Sequence, residues 1–271
     1  MGARGFLVKL VIAFGLSMTA SVYAQPAQQY EPQVGQQGKD VVWVPTPQAL
    51  VDKMLDMAQV TSKDYLIDLG SGDGRTVITA AKRGARALGI EYNPDLVELS
   101  TRAAAKEGVS GTAKFIKADI FQSDFSEANV LTMFLLSSIN LKLRPKILDL
   151  RPGTRVVSNT FDMGEWQPDE TGRAEGCNQW CTAYLWIVPA KVAGSWRLAG
   201  GQLTLEQSFQ KITGTLTTGN VSAPITNGKL SGDRIAFTAA GKEYNGQVSG
   251  TAVAGTVKNG GNWSAVRATK R

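Results

Sequence analysis

The stretch Tyr65-Leu66-Ile67-Asp68-Leu69-Gly70-Ser71-Gly72-Asp73-Gly74-Arg75 decides the fold. Tyr65 to Leu69 reads as a buried strand, and Arg75 to Arg83 carries apolar residues at helical spacing, so the three glycines fall in a strand-to-helix turn. Glycine at 70, 72 and 74 admits positive φ and lets a ligand lie against bare backbone. The start of the following helix adds unpaired N–H groups. A loop of this kind suits a small polar cofactor.

Working outward, strand and helix periods alternate. Thr46 and Pro47 open a helix over 47–59, with Thr46 as N-cap. After the loop come a strand Ala87 to Tyr92 and a helix Pro94 to Glu107 capped by Asn93. Strands Ala113 to Ile120 and Asn129 to Leu135, a helix Ile139 to Leu150 restarting at Pro145, and a strand Arg155 to Thr160 follow. A loop over 164–179 leads to a very apolar strand, Thr182 to Val188, expected to close the sheet edge. This alternation means an α/β fold, a parallel sheet with helices on both faces. From Lys191 helix signals vanish, and β-branched residues alternate with polar ones between turn clusters such as Thr226-Asn227-Gly228 and Lys258-Asn259-Gly260-Gly261. Residues 191–271 are therefore expected to form a small all-β barrel or sandwich. Leu230, Gly232 and Ile235 recur 18 residues later as Val248, Gly250 and Val253, the length of one hairpin. Trp196, Phe209, Phe237, Tyr244 and Trp263 are read as its core.

Composition narrows the chemistry. The chain of 271 residues contains no histidine, which removes Ser-His-Asp devices and His-ligated metals. With two cysteines, Cys177 and Cys181, there is room for one local bridge or two free thiols, and no metal site is expected. Lys and Arg number 29 against 23 Asp and Glu, with no basic block that would mark a nucleic-acid partner.

Acidic residues then give the glycine loop its context. Glu91 closes the second strand about 20 residues past the loop, where a carboxylate accepts ribose hydroxyls. Asp119 closes the third, and Asp68 the first. In an open sheet of this class ligands bind beyond the carboxyl ends of the strands, so these acids face one cleft. A nicotinamide-binding loop would need glycine where Arg75 stands, and would leave Asp119 without a task.

With these residues in place, Val41 to Pro189 resembles the seven-strand, class I S-adenosylmethionine-dependent methyltransferases. The resemblance implies that Asp68, Gly70, Ser71, Gly72 and Gly74 hold the methionine end of the cofactor. It implies also that Glu91 takes the ribose, Tyr92 packs by the adenine, and Asp119 with Ile120 reads its amino edge. Trp43-Val44-Pro45-Thr46 and Asn140-Leu141-Lys142-Leu143-Arg144 look like the small protein-lysine methyltransferase branch that includes the mitochondrial ATP synthase c-subunit and ADP/ATP translocase enzymes. The function so implied is N-methylation of protein lysine. Small-molecule methylation, and an exported binding protein retaining the fold, stand as alternatives. Phe134-Leu135-Leu136-Ser137 lacks the Asn/Asp-Pro-Pro-aromatic signature of base-amino methylation. No residue is assigned to catalysis; Asp162 and Glu165 are candidate bases by position, against the plainer reading of a solvated loop pair. For Trp180 and Trp186, core packing is the expected role over an acceptor pocket.

Arg4 and Lys9, the apolar run Leu10 to Ala20 and the ending Ser21-Val22-Tyr23-Ala24 read as a secretory signal peptide over 1–24. The apolar run is shorter than the ~20 residues of a spanning helix. Residues 25–40 are expected to be a flexible linker, 41–190 the α/β domain and 191–271 the β domain, in a protein exported to the periplasm or envelope with no anchor after cleavage.

Overall fold

The structure, a computed structural model, describes residues 1–2 and 30–268. The expected signal peptide lies outside the described residues, apart from its first two. Pro32 opens the compact unit that holds both sheets.

The first half of that unit runs α1 (Gln48–Met57), β1 (Tyr65–Leu69), α2 (Arg75–Lys82), β2 (Arg86–Glu91), α3 (Pro94–Lys106), β3 (Ala113–Lys117), β4 (Val130–Met133), α4 (Ser137–Leu148), β5 (Arg155–Asn159), β6 (Glu170–Arg173) and β7 (Thr182–Ile187). Its seven strands lie in the order β3-β2-β1-β4-β5-β7-β6. Strands β1 to β5 pair in parallel, whereas β7 runs antiparallel to β5 and β6 antiparallel to β7. The sheet is therefore mixed, and Thr182–Ile187 lies inside it. The edge is β6, whose sequence Glu-Thr-Gly-Arg carries no apolar signal and falls within the segment expected to be a loop. Gly172 lies there against the ends of the Met57 and Lys53 side chains of α1.

Alternation along each strand sorts the two faces. Leu66, Val130 and Val157 pack with α1 and α2, and Ala104 of α3 joins them. Ile67, Leu131 and Val156 pack on the other face with Ile139, Leu143 and Ile147 of α4. Pro145 sits inside α4 without restarting it. Thr46 does not cap α1: Pro47 holds that position with no side-chain cap, and the Thr46 hydroxyl instead accepts a hydrogen bond from Asn159 Nδ2 at 3.2 Å. Asn93 does cap α3, accepting from the Asp95 N–H at 2.9 Å.

From residue 194 nine strands follow: β8 (Gly194–Leu198), β9 (Gly201–Ser208), β10 (Lys211–Thr218), β11 (Val221–Pro224), β12 (Thr226–Ser231), β13 (Arg234–Ala239), β14 (Lys242–Ser249), β15 (Ala252–Val257) and β16 (Asn262–Arg267). Antiparallel pairing runs from β10 through β12 to β16, then β8 and β9, and returns to β10, closing a barrel to which β11 is appended. The 18-residue repeat is two hairpins: Leu230 pairs with Ile235 around Gly232, and Val248 with Val253 around Gly250. Each glycine turns at positive φ, 61° and 58°. Trp196, Phe237 and Trp263 are buried in the barrel with Tyr244 against them. Phe209 departs from its expected place, stacking on Trp166 of the α/β half with centroids 6.0 Å apart. Thr226 to Gly228 is no turn but part of β12, at an irregularity in its register with β13.

Candidate functional site

Strand β1 leads to β2 on one side while β4 lies on its other side, so the carboxyl ends of β1 and β4 flank a topological switch point where open α/β sheets bind ligands. A cleft opens there, lined by residues from the ends of β1, β2 and β4 and from the segment before α1. Asp68, Gly70, Ser71, Gly72, Glu91 and Tyr92 line it, as do Asp119 and Ile120. Gly74 does not. It is the residue before α2, at φ 80°, where a Cβ would lie 2.7 Å from the Phe115 ring and 2.8 Å from Ser100 Cβ, so glycine here lets the turn pack against β3 and α3. Asp119 lies two residues beyond β3 rather than closing it.

Asp68 forms the acidic floor. Only 6% exposed, it accepts a hydrogen bond from the Thr132 hydroxyl at 2.7 Å. Burial pushes its carboxyl up to about 7 against that hydrogen bond, and the charges of Glu91 and Asp73 add to the rise. Glu91 braces the loop, accepting from the N–H groups of Gly72 and Asn93, each at 2.9 Å. Arg75 explains why the helix does not begin on a fourth glycine. It pairs with Asp73 at 2.5 Å and donates to the Thr46 carbonyl at 2.8 Å, tying the loop to the entry of α1. The tie joins positions 29 residues apart, a separation that no local sequence signal spans.

Residues 36–40, expected to be linker, also line the cleft. The Gly35 N–H bonds the Trp43 carbonyl and the Trp43 N–H bonds the Gln36 carbonyl, folding a strap across the site. Trp43 lies so close to Gly72 that a Cβ there would be 2.7 Å from its Nε1. Lys39 Nζ donates to Asp119 Oδ2 at 2.6 Å and stands 5.0 Å from the Tyr92 ring centroid. That hydrogen bond, with one from the Phe121 N–H, holds Asp119 below the usual carboxylate range.

The expected candidate bases are not in the cleft lining. Glu165 is ion-paired with Arg144 at 2.8 Å, which holds its carboxyl down, and exposed Asp162 accepts from the Gly164 N–H. The segment Asn140 to Arg144 has a visible task instead. Fully buried Asn140 donates to the carbonyls of Phe161 and Asp162, both at 3.1 Å, and Arg144 donates to the Met163 carbonyl at 2.7 Å. One face of α4 thus holds the loop after β5 (160–165). Trp186 is core, fully buried, but Trp180 is 40% exposed beside Phe134 of the cleft. Cys177 and Cys181 are disulfide-bonded.

The donor set fits an S-adenosylmethionine-type cofactor. The buried carboxyl of Asp68, which has no cationic partner among the described residues, would be balanced by a positively charged ligand, and the glycine turn leaves bare backbone at the cleft wall.

A family model, the ANTKMT methyltransferase domain, matches residues 68–170. A protein-lysine N-methyltransferase of Saccharolobus islandicus is 43% identical over 151 residues, which span 55% of this chain and 94% of that protein. The ATP synthase c-subunit lysine N-methyltransferase of Rattus norvegicus is 38% identical over 48% of this chain and 60% of its own length. Among solved structures, an RNA methyltransferase from Salinibacter ruber in complex with S-adenosyl-L-homocysteine is 49% identical, covering 55% of this chain and 96% of that one with a TM-score of 0.52.

Proposed function

The chain belongs to the protein-lysine methyltransferase family of its archaeal relative, and from that premise we propose that it transfers a methyl group from S-adenosylmethionine to the ε-amino group of a protein lysine. The observation that carries the reading is the placement of Asp68, a buried carboxylate with no cationic partner among the described residues, on the floor of a cleft at the switch point. When bound, S-adenosylmethionine would supply an electrophilic methyl group on a sulfonium: an aligned amine bonds to the methyl carbon as the carbon–sulfur bond breaks, and S-adenosylhomocysteine is the leaving group. Asp68 and the turn from Gly70 to Gly72 hold the charged methionine end, Glu91 the ribose, and Tyr92, Asp119 and Ile120 the base. Asp119 must first give up Lys39 or share it. An acceptor lysine, with a solution pKa of ~10.4, gives its proton to water more readily as it is desolvated, so the absence of histidine is no obstacle.

The test is calorimetric titration of the protein with S-adenosylmethionine and S-adenosylhomocysteine. Wild type is expected to bind both, with affinity lost in Asp68→Asn, Glu91→Ala and Asp119→Ala; a folded wild type that binds neither sinks the reading. One observation favours a second reading, an RNA acceptor: the name of the Salinibacter ruber relative. Labelled cofactor incubated with separated protein and RNA fractions distinguishes the two, and methyl-lysine in acid hydrolysates supports the first. We also propose export, supported by the charged start and apolar run of residues 1–24 and by a disulfide of the kind that persists in oxidising compartments. A mature protein whose first residue is Gln25, read by N-terminal sequencing of the envelope fraction, is the expected result.

A further inference from the structure

Three aromatic rings from three loops meet beside the cleft. Phe134, which lines the cleft, follows β4; Phe161 follows β5; Trp180 precedes β7. Phe134 and Phe161 stack with centroids 5.9 Å apart, and Trp180 lies 5.8 Å from each. None is fully buried, and Trp180 is 40% exposed. Trp166, Trp186 and Trp196, by contrast, are fully buried.

The backbone is strained at both outer rings. Thr160, beside Phe161, has φ 62°, and Trp180 itself has φ 55°. A β-branched or bulky residue in the left-handed region costs energy and persists only where its surroundings impose it, most often at functional positions. Those surroundings are explicit. Asn140 and Ser158 hold the Phe161 carbonyl at 3.1 and 2.7 Å, and the Thr160 N–H bonds the Thr182 carbonyl at 2.8 Å. Trp180 is carried in the short loop closed by Cys177–Cys181, whose Cys181 side is buried and bonded through its carbonyl to the Ala174 N–H at 2.9 Å.

We propose that the surface formed by Phe134, Phe161 and Trp180 receives the methylene stem and cationic head of the acceptor lysine, and that the Cys177–Cys181 disulfide holds Trp180 in that surface. The inference rests on the lysine methyltransferase reading above and specifies its acceptor side. Aromatic faces attract an ammonium through the ring quadrupole, most strongly tryptophan, and they keep that attraction as methyl groups replace its hydrogens. They also pack against the apolar stem and shield it from water. Acceptor binding is then sensitive to reduction of the disulfide, while the cofactor, held by Asp68 and Glu91, is not.

The probe is acetyl-Nε,Nε,Nε-trimethyllysine methylamide, titrated by NMR into the full chain saturated with S-adenosylhomocysteine. Its uncharged isostere, with carbon in place of the ammonium nitrogen, is the control. Wild type is expected to prefer the cation over the isostere. Trp180→Ala is expected to weaken probe binding about tenfold, and Trp180→Phe to restore most of it. Reduction by a phosphine, and the double variant Cys177→Ser/Cys181→Ser, are expected to reproduce the Trp180→Ala loss, with S-adenosylhomocysteine affinity unchanged throughout. With poly-L-lysine as acceptor, the same variants raise KM more than they lower kcat. Equal binding of the isostere, no saturable binding of the probe, or Trp180→Ala within twofold of wild type overturns the aromatic assignment. A reduced protein that binds the probe as oxidised wild type does overturns the role of the disulfide. Failure of S-adenosylhomocysteine itself to bind overturns the parent reading and this one with it.

Discussion

Asp68 concentrates the electrostatics of the site. Its carboxyl, raised to about 7 in the folded chain from a reference value of 3.8, makes the cofactor-free protein bind a proton that the unfolded chain has already released. Its stabilising contribution is therefore full below about pH 4 and lost as pH rises through 7. A cationic cofactor reverses the preference, because it pairs with the ionised form. The thermal shift induced by S-adenosylmethionine is thus expected to grow between pH 6 and pH 8, with affinity falling toward tenfold per unit below pH 7; in a melting series of the cofactor-free protein, Asp68→Asn should remove the loss of stability between pH 4 and pH 7. Gly74 offers a test of architecture at the same scale. Gly74→Ala places a Cβ against Phe115 and Ser100 at φ 80°, and a loss of about 2–4 kcal/mol in urea unfolding is expected from left-handed strain plus overpacking.

Elements bring these residues to one place. The strap over 35–43 sets Lys39 on Asp119, the carboxylate assigned to the adenine edge. Lys39→Ala frees that carboxylate, and cofactor affinity in calorimetry is expected to rise a few-fold, the effect shrinking at high salt as exposed ion pairs do. Helix α4 acts on the opposite rim. Asn140→Ala leaves the Asp162 carbonyl without this donor and weakens the hold on Phe161, at a cost of about 1–3 kcal/mol. Melting temperature and acceptor turnover are expected to fall while cofactor affinity is retained.

At the scale of the whole molecule, the barrel is bound to the α/β half through specific contacts. Phe209 stacks on Trp166 and lies under the Arg144 guanidinium at 5.3 Å, the Ala190 N–H bonds the Gly232 carbonyl at 2.8 Å, and Lys191 pairs with Asp149. The archaeal relative is matched over 94% of its length by 55% of this chain, so the shared catalytic unit does not require every segment present here. Phe209→Ala is expected to lower stability by about 1–3 kcal/mol, less than a fully buried phenylalanine would, and to leave S-adenosylhomocysteine binding intact in calorimetry.

What the sequence by itself determined is local and periodic. The strand-turn-helix at 65–75 was legible because glycine and apolar spacing act over a few residues. The same holds for the helix capped by Asn93 and for the paired hairpins at Gly232 and Gly250. The acids Asp68, Glu91 and Asp119 could be placed in one cleft because parallel strands share a carboxyl end. Tertiary structure alone decided the rest. Strand β6 exists because β7 and α1 offer it partners, not because its own residues prefer a strand. The strap over the cleft, with its Lys39–Asp119 pair, joins positions 80 residues apart. Arg75 on the Thr46 carbonyl, Asn140 on the loop after β5, and Trp180 brought to Phe134 and Phe161 depend likewise on contacts between distant segments, which no window along the chain contains.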